Sequence, residues 1–175
     1  MRFASIIIVI VVCLCSCQSK KEHSNVTPNN AQAKEALERI NRVLVQEDRD
    51  LIEGYIKRNK LDGMKESPTG LFYLVWGNPT GESVKQGNLV EYSFKVTLLD
   101  GTLCYASKPD SLGTFVVGHG GVESGLEEGI LMMRQGQKAK FIMPPYLAHG
   151  LIGDAKRIPA RSIIIYDIEL LNVNP

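Results

Sequence analysis

The side chains in this chain that could do chemistry are few, and their spacing excludes most chemistry that would need them. Residues 117–150, VGHGGVESGLEEGILMMRQGQKAKFIMPPYLAHG, are the most informative stretch, holding two of the three histidines, His119 and His149. No nucleophile there has a base beside it, no cluster has metal-ligand spacing, and the glycines do not form a phosphate-binding loop. Neither a metal nor a cofactor is expected. Cys104, alone between Leu103 and Tyr105, has no second Cys or His nearby in sequence, so it reads as a small buried hydrophobe and not as a redox or nucleophilic group.

The elements that would position these residues follow from hydrophobic period. The stretch reads as a Gly-rich loop, a short amphipathic helix over 122–134 with Leu126, Ile130 and Met133 on one stripe, a Gly turn, an apolar strand over 138–143, and a Pro-Pro loop closing on His149-Gly150. Upstream, residues 71–76 are rich in strand formers. Residues 89–99 form a long strand ended by Asp100-Gly101, a hairpin signal. Residues 103–105 and 114–117 add two short strands, and 162–173 closes the chain as a long apolar one. Several strands around one short helix predict an α+β fold: a curved, mainly antiparallel β-sheet wrapped around that helix, with the hollow between them as the obvious pocket.

Before this domain, residues 33–60 carry a helical pattern, with Leu37, Ile40, Leu44, Leu51, Tyr55 and Ile56 at mostly three- and four-residue steps. Glu47-Asp48-Arg49-Asp50 interrupts the stripe, so one long helix and two helices meeting there, with Asp48 or Asp50 as N-cap, both fit. The stripe must pack somewhere, either on its own domain or in a homodimer through the 33–60 helices.

The first residues look like a targeting segment. Met1-Arg2 gives a short positive region, residues 6–14 an apolar run too short to span a bilayer, and Leu14-Cys15-Ser16-Cys17 resembles a bacterial lipobox. Cys17 would then be the lipid anchor, although Cys13 or Cys15 also reads as acceptor, and an uncleaved anchor is the other interpretation of the run. Gln18 after the lipid-bearing Cys, in place of Asp, points to the outer membrane, facing the periplasm. The expected organisation is a signal peptide at 1–16, a polar flexible tether at 17–32, a helical extension at 33–66 and the main domain at 67–175. At 175 residues, 44% hydrophobic, 22% charged and a formal charge of +1, the chain suits one modest domain plus appendages and offers no broad field for nucleic acid.

Ordered markers over about 69–173 carry a family resemblance. They are 87–92 (GNLVEY), 98–101 (LLDG), 115–118 (FVVG), 125–129 (GLEEG), 133–138 (MRQGQK), 144–150 (PPYLAHG), Ile158-Pro159 and 166–170 (YDIEL). In this order they resemble the FKBP-type peptidyl-prolyl cis-trans isomerases. With the lipobox, tether and helix, the whole looks like the secreted lipoprotein FKBPs of the Bacteroidetes, which include gliding-motility-associated members. The resemblance implies an isomerase that assists folding of exported proteins, acts on their proline-containing segments and is held at the cell envelope by lipidated Cys17. The runner-up reading is an FKBP-like peptide- or protein-binding module of a membrane-associated assembly, with little or no catalysis.

The same resemblance assigns a pocket. Tyr92, Phe115, Val122, Leu126, His149, Ile158 and Tyr166 would form the catalytic wall, and Cys104, Tyr105 and Glu123 would contact substrate. Tyr92, Phe115, Val122 and Ile158 match the family pattern. Tyr166 stands where a Phe is usual, and its added hydroxyl needs a partner if buried. Leu126 stands where many members have a Trp, Cys104 replaces a wall Phe, Tyr105 replaces an Asp, and Gly113 falls where another aromatic is common. His149 replaces a Tyr whose hydroxyl donates to the peptide carbonyl, a role an imidazole N–H could take over. Being on strands, Tyr92, Phe115 and Tyr166 would serve equally well as plain core.

Overall fold

The computed structural model describes residues 30–175. The expected signal peptide at 1–16, Cys17 and nearly all of the expected tether lie outside the described residues. Residues 38–175 form one compact unit, and of the chain before it only the helical residues 30–37 are described.

Helix α1 runs Asn30–Arg58 without a break, so the acidic cluster at its middle does not divide it. The reason lies in the partners of that cluster. Asp48 turns inward to Arg161 at 2.9 Å, while Arg49 bridges Glu53 on the next turn and Glu66 beyond the helix. None of them caps a second helix. The helix starts three residues inside the expected tether and ends at Arg58. The remainder of the expected helical extension turns into a short strand, β1 (Lys65–Glu66), which pairs with the main sheet.

The other strands are β2 (Phe72–Trp76), β3 (Leu89–Leu98), β4 (Leu103–Ala106), β5 (Gly113–Val116), β6 (Lys138–Met143) and β7 (Ile164–Asn174). They form one seven-stranded sheet in the order β1-β2-β6-β7-β3-β4, with β5 also on β3, and every pairing is antiparallel. The predicted hairpin lies between β3 and β4. There Gly101 takes φ +89°, a backbone that other residues resist, and the Asp100 carboxylate accepts the Thr102 N–H.

Helix α2 (Ser124–Leu131) is shorter than its pattern suggested, because Val122 lies in a bend, Glu123 is extended ahead of it and Met132 ends it. It packs on one face of the sheet. Leu126, Ile130 and Met133 join Val90, Tyr92, Phe115, Phe141, Tyr166, Ile168 and Leu170 in the main core. The other face carries a second core of Ile52, Phe72, Ile142, Ile163 and Ile165, covered by α1. Strand alternation divides the residues between the two: Phe141 and Ile164 face α2, whereas Ile142 and Ile165 face α1. This two-sided burial is why β7 reads in the sequence as a near-continuous apolar run.

Ile52 is fully buried at the centre of the second core, and burying such a side chain contributes about 1.5–3 kcal/mol. Ile52→Ala is expected to cost about 2–5 kcal/mol of unfolding free energy, because a cavity is left behind. Glu53→Ala, removing only an exposed pair with Arg49, is expected to cost about 0.5 kcal/mol or less. Urea melts of both variants check this; equal losses would mean that α1 does not pack as described.

Candidate functional site

A concave hollow of about 310 Å³ opens between the N-terminal end of α2, strands β3 and β7, and the loop after the short 3-10 turn Pro145–Leu147; Tyr92, Gly121, Val122, Glu123, Ala148, His149 and Tyr166 line it. Tyr92 and Tyr166 give it aromatic walls, with further rings behind them. Tyr92 meets Phe115 edge-on at 5.9 Å and Phe94 at 5.7 Å, and Phe94 continues to Tyr166 at 6.1 Å. Tyr92 lies flat enough on β5 that a Cβ at Gly113 would come within 2.5 Å of its ring, so the absence of a side chain there is what seats it.

Glu123 organises the polar side of the hollow. It occupies the N-cap position of α2, yet its side chain makes no capping bond. The carboxylate instead turns to the cavity, where the Tyr166 hydroxyl lies 3.1 and 3.2 Å from its two oxygens and donates to them. Nε2 of His149 lies 2.9 Å from Oε1. The Glu123 side chain is only 13% exposed and that of His149 27%. Burial and then the Glu123 charge raise the phenol of Tyr92 to about 12, and the same causes push Tyr166 up further. The Tyr92 hydroxyl makes no side-chain hydrogen bond among the described residues.

Of the residues expected from sequence, Tyr92, Val122, Glu123, His149 and Tyr166 therefore meet around one cavity. Phe115, Leu126, Ile158 and Cys104 are buried in the core behind it and do not line it. The His149 Nε2, expected to serve a peptide carbonyl, lies against the Glu123 carboxylate in this structure. Tyr105 lies farther out. Its hydroxyl donates to Asp154, whose other oxygen accepts the N–H groups of Lys156, Arg157 and Ile158 at 2.8–2.9 Å. That set of donors, the Tyr105 hydroxyl foremost, holds the Asp154 carboxyl well below the usual carboxylate range. Arg157 stacks over the Tyr105 ring at 5.4 Å and donates to the Cys104 carbonyl at 2.9 Å. The carboxylate that the resemblance would put at position 105 thus comes from the facing loop, as Asp154. Cys104 makes only long contacts, 3.6 Å to the Arg157 carbonyl, and burial raises its thiol, so it stays protonated.

Sequence reasoning missed Phe94, which links the two tyrosine rings, and the Asp154–Arg157 clamp. Alternation within β3 could have identified Phe94, since it shares a parity with Tyr92. An Asp followed by three residues whose amides it can reach is a recognisable local turn, but nothing local says that Tyr105 closes it. Among the described residues no group of three or more His, Cys, Asp or Glu side chains is placed to hold a metal.

Comparison with known proteins gives a consistent result. Residues 80–171 match the family model described as FKBP-type peptidyl-prolyl cis-trans isomerase. The FKBP-type isomerase FkpA of Escherichia coli K12 is 36% identical over 118 residues, 66% of this chain and 42% of that protein. FkpA of Buchnera aphidicola is 30% identical over 163 residues, 88% of this chain and 65% of that one. The chain thus spans less than half of the first relative and about two thirds of the second. The crystal structure of Escherichia coli FkpA superposes with a TM-score of 0.64 at 26% identity, covering 100% of this chain and 83% of that one.

The cavity geometry has a spectroscopic consequence. In a carbon-13 NMR titration of the tyrosine rings, the signal lost in Tyr92→Phe is expected to titrate near 12. Glu123→Gln should lower that midpoint while leaving it above the free value of about 10, because burial, the larger cause, persists. A Tyr92 signal titrating with the exposed tyrosines would mean that its ring is solvated.

Proposed function

Because the chain belongs to the FKBP-type peptidyl-prolyl cis-trans isomerase family, we propose that its domain catalyses rotation about Xaa-Pro peptide bonds. The observation that carries this is the ring-walled hollow: Tyr92, Tyr166 and Val122 around the opening, with Phe94 and Phe115 stacked behind them. The barrier to be lowered is about 18–20 kcal/mol and comes from amide resonance, which leaves uncatalysed exchange at tens to hundreds of seconds. A twisted amide is less polar than a planar one, so an enclosed apolar wall that fits the twisted form favours it. No proton transfer or covalent intermediate is needed. We assign the unengaged Tyr92 hydroxyl as a donor to the peptide carbonyl, fixing the chain while the proline ring lies against the aromatic wall.

The Glu123–His149–Tyr166 network favours a second reading, a peptide-docking module with weak catalysis, since a charged group in the pocket opposes its dryness. A protease-coupled assay on an Xaa-Pro peptide separates the two. The first reading expects acceleration that Tyr92→Ala reduces about tenfold or more, equivalent to about 1.4 kcal/mol of transition-state stabilisation. No acceleration over the uncatalysed rate at micromolar protein would leave docking as the function.

We infer further that the chain is of the lipoprotein kind, anchored by Cys17 in the cell envelope and acting on exported proteins, a reading supported by the sequence of residues 1–17. We also infer that α1 pairs with α1 of a second copy. In support, Ile40, Val43 and Leu51 each remain more than half exposed, an apolar face that a second copy would cover. One variant tests both: Cys17→Ser protein is expected in the soluble fraction, sedimenting with the mass of two chains. Retention in the membrane overturns the anchor, and a single-chain mass overturns the pairing.

A further inference from the structure

The cavity holds a negative charge with one titratable counter-charge. Glu123 is the only carboxylate lining it, and no Lys or Arg lines it. Each element packed around the carboxylate offers a neutral or protonatable group: Tyr92 from β3, Tyr166 from β7 and His149 from the loop after the 3-10 turn. The charged groups nearby are engaged elsewhere. Glu127 on α2 accepts the Gly118 and Gly120 N–H groups, Asp154 is held by Tyr105, and Arg157 lies over Tyr105 and on the Cys104 carbonyl. While His149 is neutral, the partly buried carboxylate has the Tyr166 hydroxyl and the His149 ring against it but no opposite charge. Burying a carboxylate in that condition is unfavourable, and a cation brought to it by a ligand relieves the cost. The surroundings suit a cation in a second way. The Tyr92 and Tyr166 rings flank the site, and an ammonium or guanidinium is attracted to such faces.

We propose that the pocket selects proline segments carrying a lysine or arginine directly before the proline, with Glu123 as the residue that recognises the basic side chain. This rests on the reading of the hollow as an Xaa-Pro site. Glu123 acts here in specificity, and His149 sets when it can act. A protonated imidazole supplies the counter-charge itself, so the preference for basic segments is full when His149 is neutral and fades as acid protonates it.

The test uses capped Ala-Xaa-Pro-Phe peptides with Xaa as Lys, Leu or Glu, added to isotope-labelled protein. NMR shift changes give affinity, and exchange spectroscopy on the same samples gives the cis–trans rate. At about pH 8, above the range where histidines usually titrate, the Lys-Pro peptide is expected to bind about tenfold more tightly than Leu-Pro, with Glu-Pro weakest. At about pH 5 the ratio should fall towards one. Glu123→Gln should abolish the preference at both values. His149→Gln, an independent variant, should retain it at the acidic one. Equal affinities for Lys-Pro and Leu-Pro, no binding of Lys-Pro, or a preference that survives Glu123→Gln in a protein with a native amide spectrum would each overturn the inference. Selective binding without faster exchange would sustain it and defeat the isomerase reading. Faster exchange without selectivity would do the reverse.

Discussion

Helix α2 lies so close to β6 that a methyl group at Gly129 would sit 2.7 Å from the Phe141 ring, and one at Gly125 would sit 3.0 Å from the Met143 sulfur. Gly129 has no room for a side chain, at Gly125 Met143 would have to give way, and the two glycines are one turn apart on the same face. The rest of the domain depends on this approach. It lets the curved sheet enclose the helix, buries Leu126 and Ile130 completely, and fixes the helix start near β7, so that Glu123 reaches both Tyr166 and His149. A helix held farther out by a single methyl would open the floor of the hollow and separate the carboxylate from its donors. Packing inside a protein tolerates little such slack.

The second constraint is in β7. Its pairing with β3 slips by one residue between Glu91 and Tyr92, where Leu170 faces Tyr92 but Asn172 faces Glu91. Strict alternation from Tyr166, Ile168 and Leu170 would direct Asn172 into the core. The bulge reverses the parity, so Val173 packs on the core instead and Asn172 reaches the Glu91 carboxylate at the surface. The same strand thus keeps Tyr166 in the pocket at one end and an apolar residue inside at the other.

The order of elements and the pocket rings were legible because they are local properties: period, turn residues and the run of short motifs from 87–92 to 166–170. What stayed hidden depends on partners far along the chain. The cluster at 47–50 left a helix break open because four charged residues in a row normally face water. Asp48 is instead buried against Arg161, a residue 113 positions away. The first strand was missed for a similar reason: Lys65 and Glu66 have no strand pattern of their own and become a strand by pairing with Tyr73 and Phe72. Cys104 and Tyr105 were expected at the pocket. They sit instead behind it and beside it, because the carboxylate that engages Tyr105 comes from position 154 on the opposite loop.

Two departures at the pocket and Glu123 look independent in the sequence and are one unit in the structure. A tyrosine at 166, in place of the phenylalanine usual in the family, brings a buried hydroxyl that must donate to something. A histidine at 149, in place of a tyrosine, brings an N–H with the same requirement. A carboxylate at 123 is costly to enclose in an aromatic pocket without partners, and these two residues are its partners. Reversing any one alone leaves the other two worse placed: with Phe at 166 the carboxylate would keep a single partner, and with an apolar residue at 123 both donors would be stranded. Such groups are expected to be strongly non-additive, as members of one hydrogen-bond network. The pocket is therefore better understood as an aromatic shell rebuilt around one partly buried charge than as a family pocket with isolated losses. Its chemistry follows from that charge as much as from the rings.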